Sequence, residues 1–263
     1  MRWIYCFLIT AFLFVCSLPG FAQQRPLLTE DPKLIPPGTL DVETGFTFEK
    51  RAVYTLSGLE GSHIALMPSA LHFGLGERAE FQLAGTLHDY LHTNGIWYKD
   101  FGDISLSTKM KVIGESRRVP AISFRPTVTL PNANQASGLG LNTTRFFASI
   151  LAGKSIRSAY VFGNIGTGIM DNPTHAGVQD DVLTYGLAAS VALTPRVNWL
   201  GEISGLKNPR DNPAPGSETR SQLRSGIQFT AAGIRWDGGV LAGLTHLDPR
   251  YGVTFGMTRR FGK

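Results

Sequence analysis

From Leu40 almost to the last residue, apolar and polar side chains alternate one by one in stretches of roughly ten residues. In the first stretch Leu40, Val42, Phe46 and Phe48 fall on one side, and Asp41, Glu43, Gly45, Thr47 and Glu49 on the other. A period of two marks an extended strand whose two faces meet different surroundings. The pattern recurs about twelve times, and the links between stretches alternate long and short. A sheet that shows lipid one face and water the other must read this way, and only a closed barrel leaves no backbone edge unpaired in a membrane. The sequence therefore predicts an all-β, membrane-spanning, antiparallel up-and-down barrel of about twelve strands, with ten or fourteen also compatible. A soluble β-sandwich fits the composition as well, but has no reason to sort its links by length.

Cost assigns the faces. In the fourth stretch Ile104, Leu106, Met110 and Val112 alternate with Asp103, Ser105, Ser107, Lys109 and Lys111. A lysine near the middle of the lipid costs roughly 2–4 kcal/mol, so the second face must meet water or protein. The same reasoning adds Glu43, Glu80, Gln82, Arg125, Glu202, Arg224, Arg235 and Asp237 to the candidate lining of the lumen. Between Val119 and Leu130 the pattern strains, because Pro120 and Pro126 each remove a backbone donor; a bulge or a loosened seam is expected there. Trp97, Tyr98, Tyr160, Tyr185, Trp199, Trp236 and Tyr251 lie near the ends of stretches and read as anchors at the lipid–water interface.

Residues 1–22 read as a cleaved signal peptide. Arg2 precedes an apolar run from Ile4 to Val15, and Gly20-Phe21-Ala22 offers a small residue for cleavage. No later stretch approaches the ~20 apolar residues of a spanning helix. Both cysteines, Cys6 and Cys16, fall in this segment, and Leu13-Phe14-Val15 lacks the small residue of a lipoprotein signal. The mature chain then has neither disulfides nor thiolate chemistry. Loss of Arg2 leaves 24 basic against 20 acidic residues, a mild and dispersed excess that does not point to nucleic acid. Residues 23–39 carry Pro26, Pro32, Pro36 and Pro37 and cannot join the interior of a sheet. They form either a periplasmic lead or a lumen plug, with Arg25 and Asp31 able to pair with the wall. The barrel itself is assigned to residues 40–263.

Several stretches resemble a bacterial family of outer-membrane transporters labelled MetA-pathway of phenol degradation. The opening Arg25-Pro26-Leu27-Leu28-Thr29-Glu30-Asp31-Pro32, then Pro37-Gly38 and Glu43-Thr44-Gly45, is similar to that family's mature start. Leu71 to Leu83 resembles its recurrent hairpin, and Gly102-Asp103-Ile104, Gly243-Leu244-Thr245 and the closing Phe255 to Phe261 add to the match. The resemblance implies an outer-membrane barrel that passes small hydrophobic or aromatic compounds. One departure is that Phe261 is followed by Gly262-Lys263, where such barrels often end on an aromatic residue read by the assembly machinery.

The partners that follow are outer-membrane lipid, the barrel assembly machinery and a small-molecule solute; no cofactor or metal is expected. The candidate lining carries both signs in near balance, so it either selects solutes or pairs with itself across the interior. Twelve strands enclose a narrow space, which favours a constricted or plugged lumen over an open one. An outer-membrane lipid hydrolase would need a serine with a histidine in reach. His63, His72, His88, His92, His175 and His246 sit mostly near expected loops, without a nucleophile motif or metal-ligand spacing, so no catalytic residue is assigned. A structural or adhesive barrel without transport is the other alternative.

Overall fold

The apolar face of each strand turns outward, so the molecule is buried where it is polar and exposed where it is greasy. A computed structural model describes residues 25–262; the expected signal segment, 1–22, lies outside the described residues. The strands are β1 (Leu40–Tyr54), β2 (Leu59–Gly74), β3 (Ala79–Thr93), β4 (Ile96–Asp100), β5 (Ile104–Ile113), β6 (Ala121–Leu130), β7 (Arg145–Ile156), β8 (Ala159–Asp171), β9 (Gln179–Thr194), β10 (Val197–Lys207), β11 (Arg220–Ala231), β12 (Ile234–Gly243) and β13 (Tyr251–Phe261). The short β4 pairs with the outer end of β3, and β5 continues beside the rest of it. Together they make one interrupted crossing, which gives a barrel of twelve antiparallel crossings. β1 pairs with both β2 and β13, and β2 also pairs with β3, so the sheet closes without a free edge.

The closing seam runs in register from Leu40 opposite Phe261 to Lys50 opposite Tyr251. Asp41 and Arg260 face each other across it, and the guanidinium grips the carboxylate with two donors at 2.6 Å each. A planar fork on a carboxylate is among the strongest neutralisations available to a buried pair. Beside the seam, β1 and β2 slip by one residue at two places, where Met67 (φ 52°) and Arg51 (φ 63°) take left-handed backbone. These are bulges, which bend and twist a strand locally as a tight barrel requires.

Outward positions include Ile150, Ile165, Leu187, Val240 and Phe255, each more than half exposed near mid-strand, whereas most buried positions are polar. This inversion defines a membrane barrel, and such barrels belong to the outer membrane. The link rhythm holds with a modification. Links 131–144, 172–178, 208–219 and 244–250 are long, and 75–78, 157–158, 195–196 and 232–233 are short, but 114–120, expected as a short turn, is seven residues long, equal to 172–178 and 244–250. At the first two outer links the length goes into strand instead: β1 and β2 run on to a turn at 55–58, and β3 and β4 form a hairpin. Pro126 interrupts the β5–β6 pairing opposite Thr108 and Lys109 but leaves the register unchanged, so it loosens the seam without bulging it. The shift in that ladder lies near Pro120, between Lys111 and Ile113.

Replacing Ile165, in the middle of the lipid-facing side of β8, with arginine is expected to destabilise the barrel by about 2–4 kcal/mol, read by urea unfolding from lipid vesicles.

Candidate functional site in the barrel lumen

A strand placed inside a barrel has no neighbour to pair with, so its backbone groups must find partners on wall side chains. Residues 25–37 solve this by running round the inner wall and touching almost every strand in turn. Arg25 reaches β13, donating to Thr254 Oγ1 (2.9 Å) and the Phe255 carbonyl (2.8 Å). The Arg25 carbonyl accepts from Gln228 on β11. The Leu28 and Thr29 amides both donate to the Glu202 carboxylate of β10, at 2.8 and 2.7 Å. Asp31 accepts from the Tyr160 hydroxyl of β8 (2.9 Å), and the Pro32 carbonyl accepts from Ser123 of β6 (2.6 Å). The Ile35 amide donates to Glu80 of β3 (2.9 Å), and Gly38 bonds the Gly74 carbonyl at the end of β2 (2.8 Å).

The wall is shaped to receive this belt. Gly45 and Gly256 stand opposite each other across the closing seam, and a Cβ on either would strike the Arg25 guanidinium. Gly226 and Gly239 are likewise paired, and their missing side chains leave the space filled by Pro26, 2.9 and 3.4 Å from where the Cβ atoms would be. Farther along, Gly186 faces Thr29 and Gly153 faces Pro32, at 2.5 and 2.9 Å by the same measure. Leu27 packs on Phe162, Ala188, Leu200 and Tyr160, the apolar cluster inside the barrel.

Charges weld the belt to the wall. Lys109 is fully buried and its ammonium meets Glu30 (2.8 Å), the Asp31 carbonyl (3.1 Å) and Glu80 (3.4 Å). Glu80 also holds His72 Nδ1 at 3.0 Å, and His72 Nε2 lies 3.9 Å from Glu43. Glu43 in turn pairs with Arg235 at 2.9 Å. Gln82 donates to Glu30 (2.9 Å) and Glu80 (2.8 Å) and accepts from Arg125 (2.7 Å). Along this chain from β12 round to β6, Arg235, Lys109 and Arg125 are interleaved with Glu43, Glu80 and Glu30, so each buried carboxylate has a basic residue within 4.0 Å. On the other side Arg25 lies 3.7 Å from Asp237, and Arg224 lies 3.7 Å from Glu202 while donating to the Pro26 carbonyl (3.3 Å). At the short-turn rim Lys33 sits over the Tyr160 ring and pairs with Glu115 (3.2 Å). Desolvation acts to raise the Glu115 pKa, but the Ser155 amide and Lys33 outweigh it and hold the carboxyl below its ordinary range.

Two of the candidate lining residues stand apart. Lys111 is exposed at the short-turn rim, beside a recess lined by Lys33, Ile35 and Pro36. Asp103 lies toward the outer mouth, where it pairs with Arg145 (2.5 Å) and accepts from the Asn132 and Ala133 amides. The aromatic assignment needs correction at two positions. Tyr160 and Tyr185 point inward, to Asp31 and to Ser221 (2.9 Å), while Trp97, Trp199, Trp236 and Tyr251 are exposed. Histidines also depart from the loop expectation. His63, His72, His88 and His92 all lie on β2 or β3, and His63 is held between Glu49 (3.0 Å) and Asp89 (2.9 Å). His72 could have been placed by parity, since it alternates with Leu71 and Phe73.

Space remains above the belt. An inner cavity of about 320 Å³ is floored by Leu28 and Thr29 and walled by Phe147, Leu151, Tyr185 and Arg220. Arg220 and Gln222 also border an outer vestibule of about 390 Å³ ringed by Tyr54, His63, Phe101 and Leu141. The recess at the short-turn rim, about 470 Å³, lies on the other side of residues 32–37.

No family model matches the chain, and no curated protein matches it. Solved structures do. The COG4313 outer membrane channel from Pseudomonas putida F1 aligns over 88% of this chain and 98% of its own, with a TM-score of 0.66 and 14% identity. The NanC porin aligns over 85% and 99%, with a TM-score of 0.53 and 8% identity. The translocator domain of the autotransporter NalP from Neisseria meningitidis aligns over 86% and 90%, at 0.50 and 11%. At these identities the likeness establishes the outer-membrane barrel fold.

Lys109→Met strands Glu30 and Glu80 without their shared cation. It is expected to cost about 3–5 kcal/mol of stability. It should also expose a cysteine placed at Thr29, fully buried in the parent, to a water-soluble maleimide.

Proposed function

We propose that this barrel is an outer-membrane channel or transporter for small hydrophobic or aromatic compounds, with residues 23–38 as the plug that restricts its lumen. The observation that carries the reading is the position of the belt, with Leu28 and Thr29 as the floor of the inner cavity and residues 32–37 above the opposite recess. A purely structural barrel has no need of an inner cavity that shares wall residues Arg220 and Gln222 with an outer vestibule. The cavity wall supports the solute class. Phe147, Leu151, Leu206 and Leu28 offer apolar surface, and Tyr185, Ser149 and Thr184 add hydroxyls, the usual mixture of a small-molecule site. The likeness to proteins named as an outer membrane channel and a porin agrees with passage.

Deleting residues 23–38 is expected to leave a folded barrel with several-fold higher single-channel conductance in planar bilayers. Liposomes carrying the intact protein should take up small aromatic and aliphatic compounds faster than empty ones. Unchanged conductance in a folded deletion variant would remove the plug. Exclusion of every compound would remove transport.

A further inference from the structure

We propose that the inner cavity binds a small amphiphilic monoanion, with its carboxylate on Arg220 and its apolar body against Phe147, Leu151, Leu206 and Leu28. The proposal rests on the transport reading and deepens it by naming the chemistry that the lumen selects.

Arg220 differs from the other arginines of the interior in what holds it. Arg25, Arg125, Arg224 and Arg235 each lie within 4.0 Å of a carboxylate, at Asp237, Glu30, Glu202 and Glu43. Arg220 instead donates to two backbone carbonyls, Leu247 at 2.7 Å and Val53 at 3.0 Å, and among the described residues forms no ion pair. Those bonds fix the guanidinium in place and leave three of its five N–H donors uncommitted. Its position suits capture, since it borders both the vestibule and the inner cavity.

The acidic groups nearby do not take this role. Asp248, in the same wall, accepts through Oδ2 from the Ser221 amide (3.0 Å), the Thr245 amide (2.9 Å) and the Thr245 hydroxyl (2.7 Å), while its Oδ1 is buried without a hydrogen-bond partner and makes no ion pair with Arg220. Glu49 and Asp89, in the vestibule, close on His63 from both sides. Both carboxylates are turned to the His63 ring nitrogens, and neither lies within 4.0 Å of the Arg220 guanidinium. Arg125 also borders the cavity, but it donates to Gln82 and lies 3.9 Å from Glu30, so Arg220 is the cation of this lining that has no carboxylate within 4.0 Å among the described residues.

The apolar half of the site is equally built. The Phe147 ring occupies the space a side chain at Gly168 would take, and the Tyr185 ring comes to 2.8 Å from a would-be Cβ at Gly205. Inside the wall the Ser204 and Thr29 hydroxyls are buried without a partner, so polar capacity remains unused at this site. A volume of about 320 Å³ lies at the small end of ligand sites, which suits one ring or a short acyl chain with a compact head.

The test uses the full barrel in lipid nanodiscs and three probes of one shape: benzoate, benzyl alcohol and benzylammonium. Calorimetric titration should give benzoate roughly tenfold or more tighter than benzyl alcohol, the increment of a charge-assisted hydrogen bond, and benzylammonium weakest. Arg220→Gln should erase the preference, Arg220→Lys should keep most of it, and Thr184→Phe, which fills the cavity, should weaken benzoate and benzyl alcohol alike. Equal binding of benzoate and benzyl alcohol by the parent, or a benzoate preference that survives in Arg220→Gln, overturns the proposal. The parent comparison stands even where a variant does not fold. Liposome uptake of benzyl alcohol with no benzoate preference overturns the anion site and leaves transport. A benzoate preference without uptake of any probe supports the site and overturns transport.

Discussion

A carboxylate that accepts two successive backbone amides can stand in for a neighbouring strand. Glu202 does this for Leu28 and Thr29, and Glu80 does it once for Ile35. The arrangement in the lumen depends on that substitution. A peptide with unsatisfied amides would be costly to hold in a dry interior, by about 1–3 kcal/mol for each group left without a partner. Once the wall supplies acceptors, it must carry negative charge inward, and that charge must be balanced. Lys109 beside Glu80 and Arg224 beside Glu202 are the balance. The charged lining therefore follows from housing a belt that has no strand partner.

The same constraint explains the glycines. A backbone laid against a barrel wall needs room that a β-carbon would take, and the paired glycines at 45/256 and 226/239 give it where Arg25 and Pro26 lie. In a strand a glycine ordinarily weakens packing, so its use at facing positions of adjacent strands marks a close approach of another chain segment. Wall and belt are shaped for each other, one by what it lacks and the other by its prolines.

Much of this was legible in the sequence, and the boundary of what was legible has a physical basis. Period two in Leu40–Glu49 and in Asp103–Val112 fixes which side of each strand is apolar, because a slip of one residue would turn lysines into lipid. That parity is local, so single strands reveal it. The belt is a different matter. Pro26, Pro32, Pro36 and Pro37 exclude residues 23–39 from a sheet, but they do not say which wall residue meets which part of the segment. Glu30–Lys109 joins positions 79 apart, and no spacing rule reaches so far. Tyr160 and Tyr185 misled for a related reason. Near a strand end an aromatic residue serves equally as an interfacial anchor or as an inward lid, and the choice falls to a neighbour such as Asp31 or Ser221. Lys111 has the parity of Lys109, yet it ends at the rim, because parity gives the face and not the depth.

The two ends of the belt are held by different forces, and this bears on how the lumen could change. Toward β1 the segment is continuous with the sheet. Gly38, in left-handed backbone at φ 72°, donates to Gly74, and Gly74 donates back to Thr39, so the ladder simply extends past the strand end. Backbone ladders are insensitive to salt and to the charge of a solute. At Arg25 the hold is a guanidinium grip on Thr254, Phe255 and Asp237 in a glycine notch, with the Arg25 carbonyl accepting from Gln228. Between the ends, Lys109 binds both the belt, through Glu30, and the wall, through Glu80. A disturbance that reaches the cavity from the vestibule meets Leu28 and Thr29 first, which lie between the Arg25 grip and Lys109 and are held by Glu202. Toward β1 the segment thus passes directly into the sheet, whereas beside the cavity it is held by the Glu202 carboxylate.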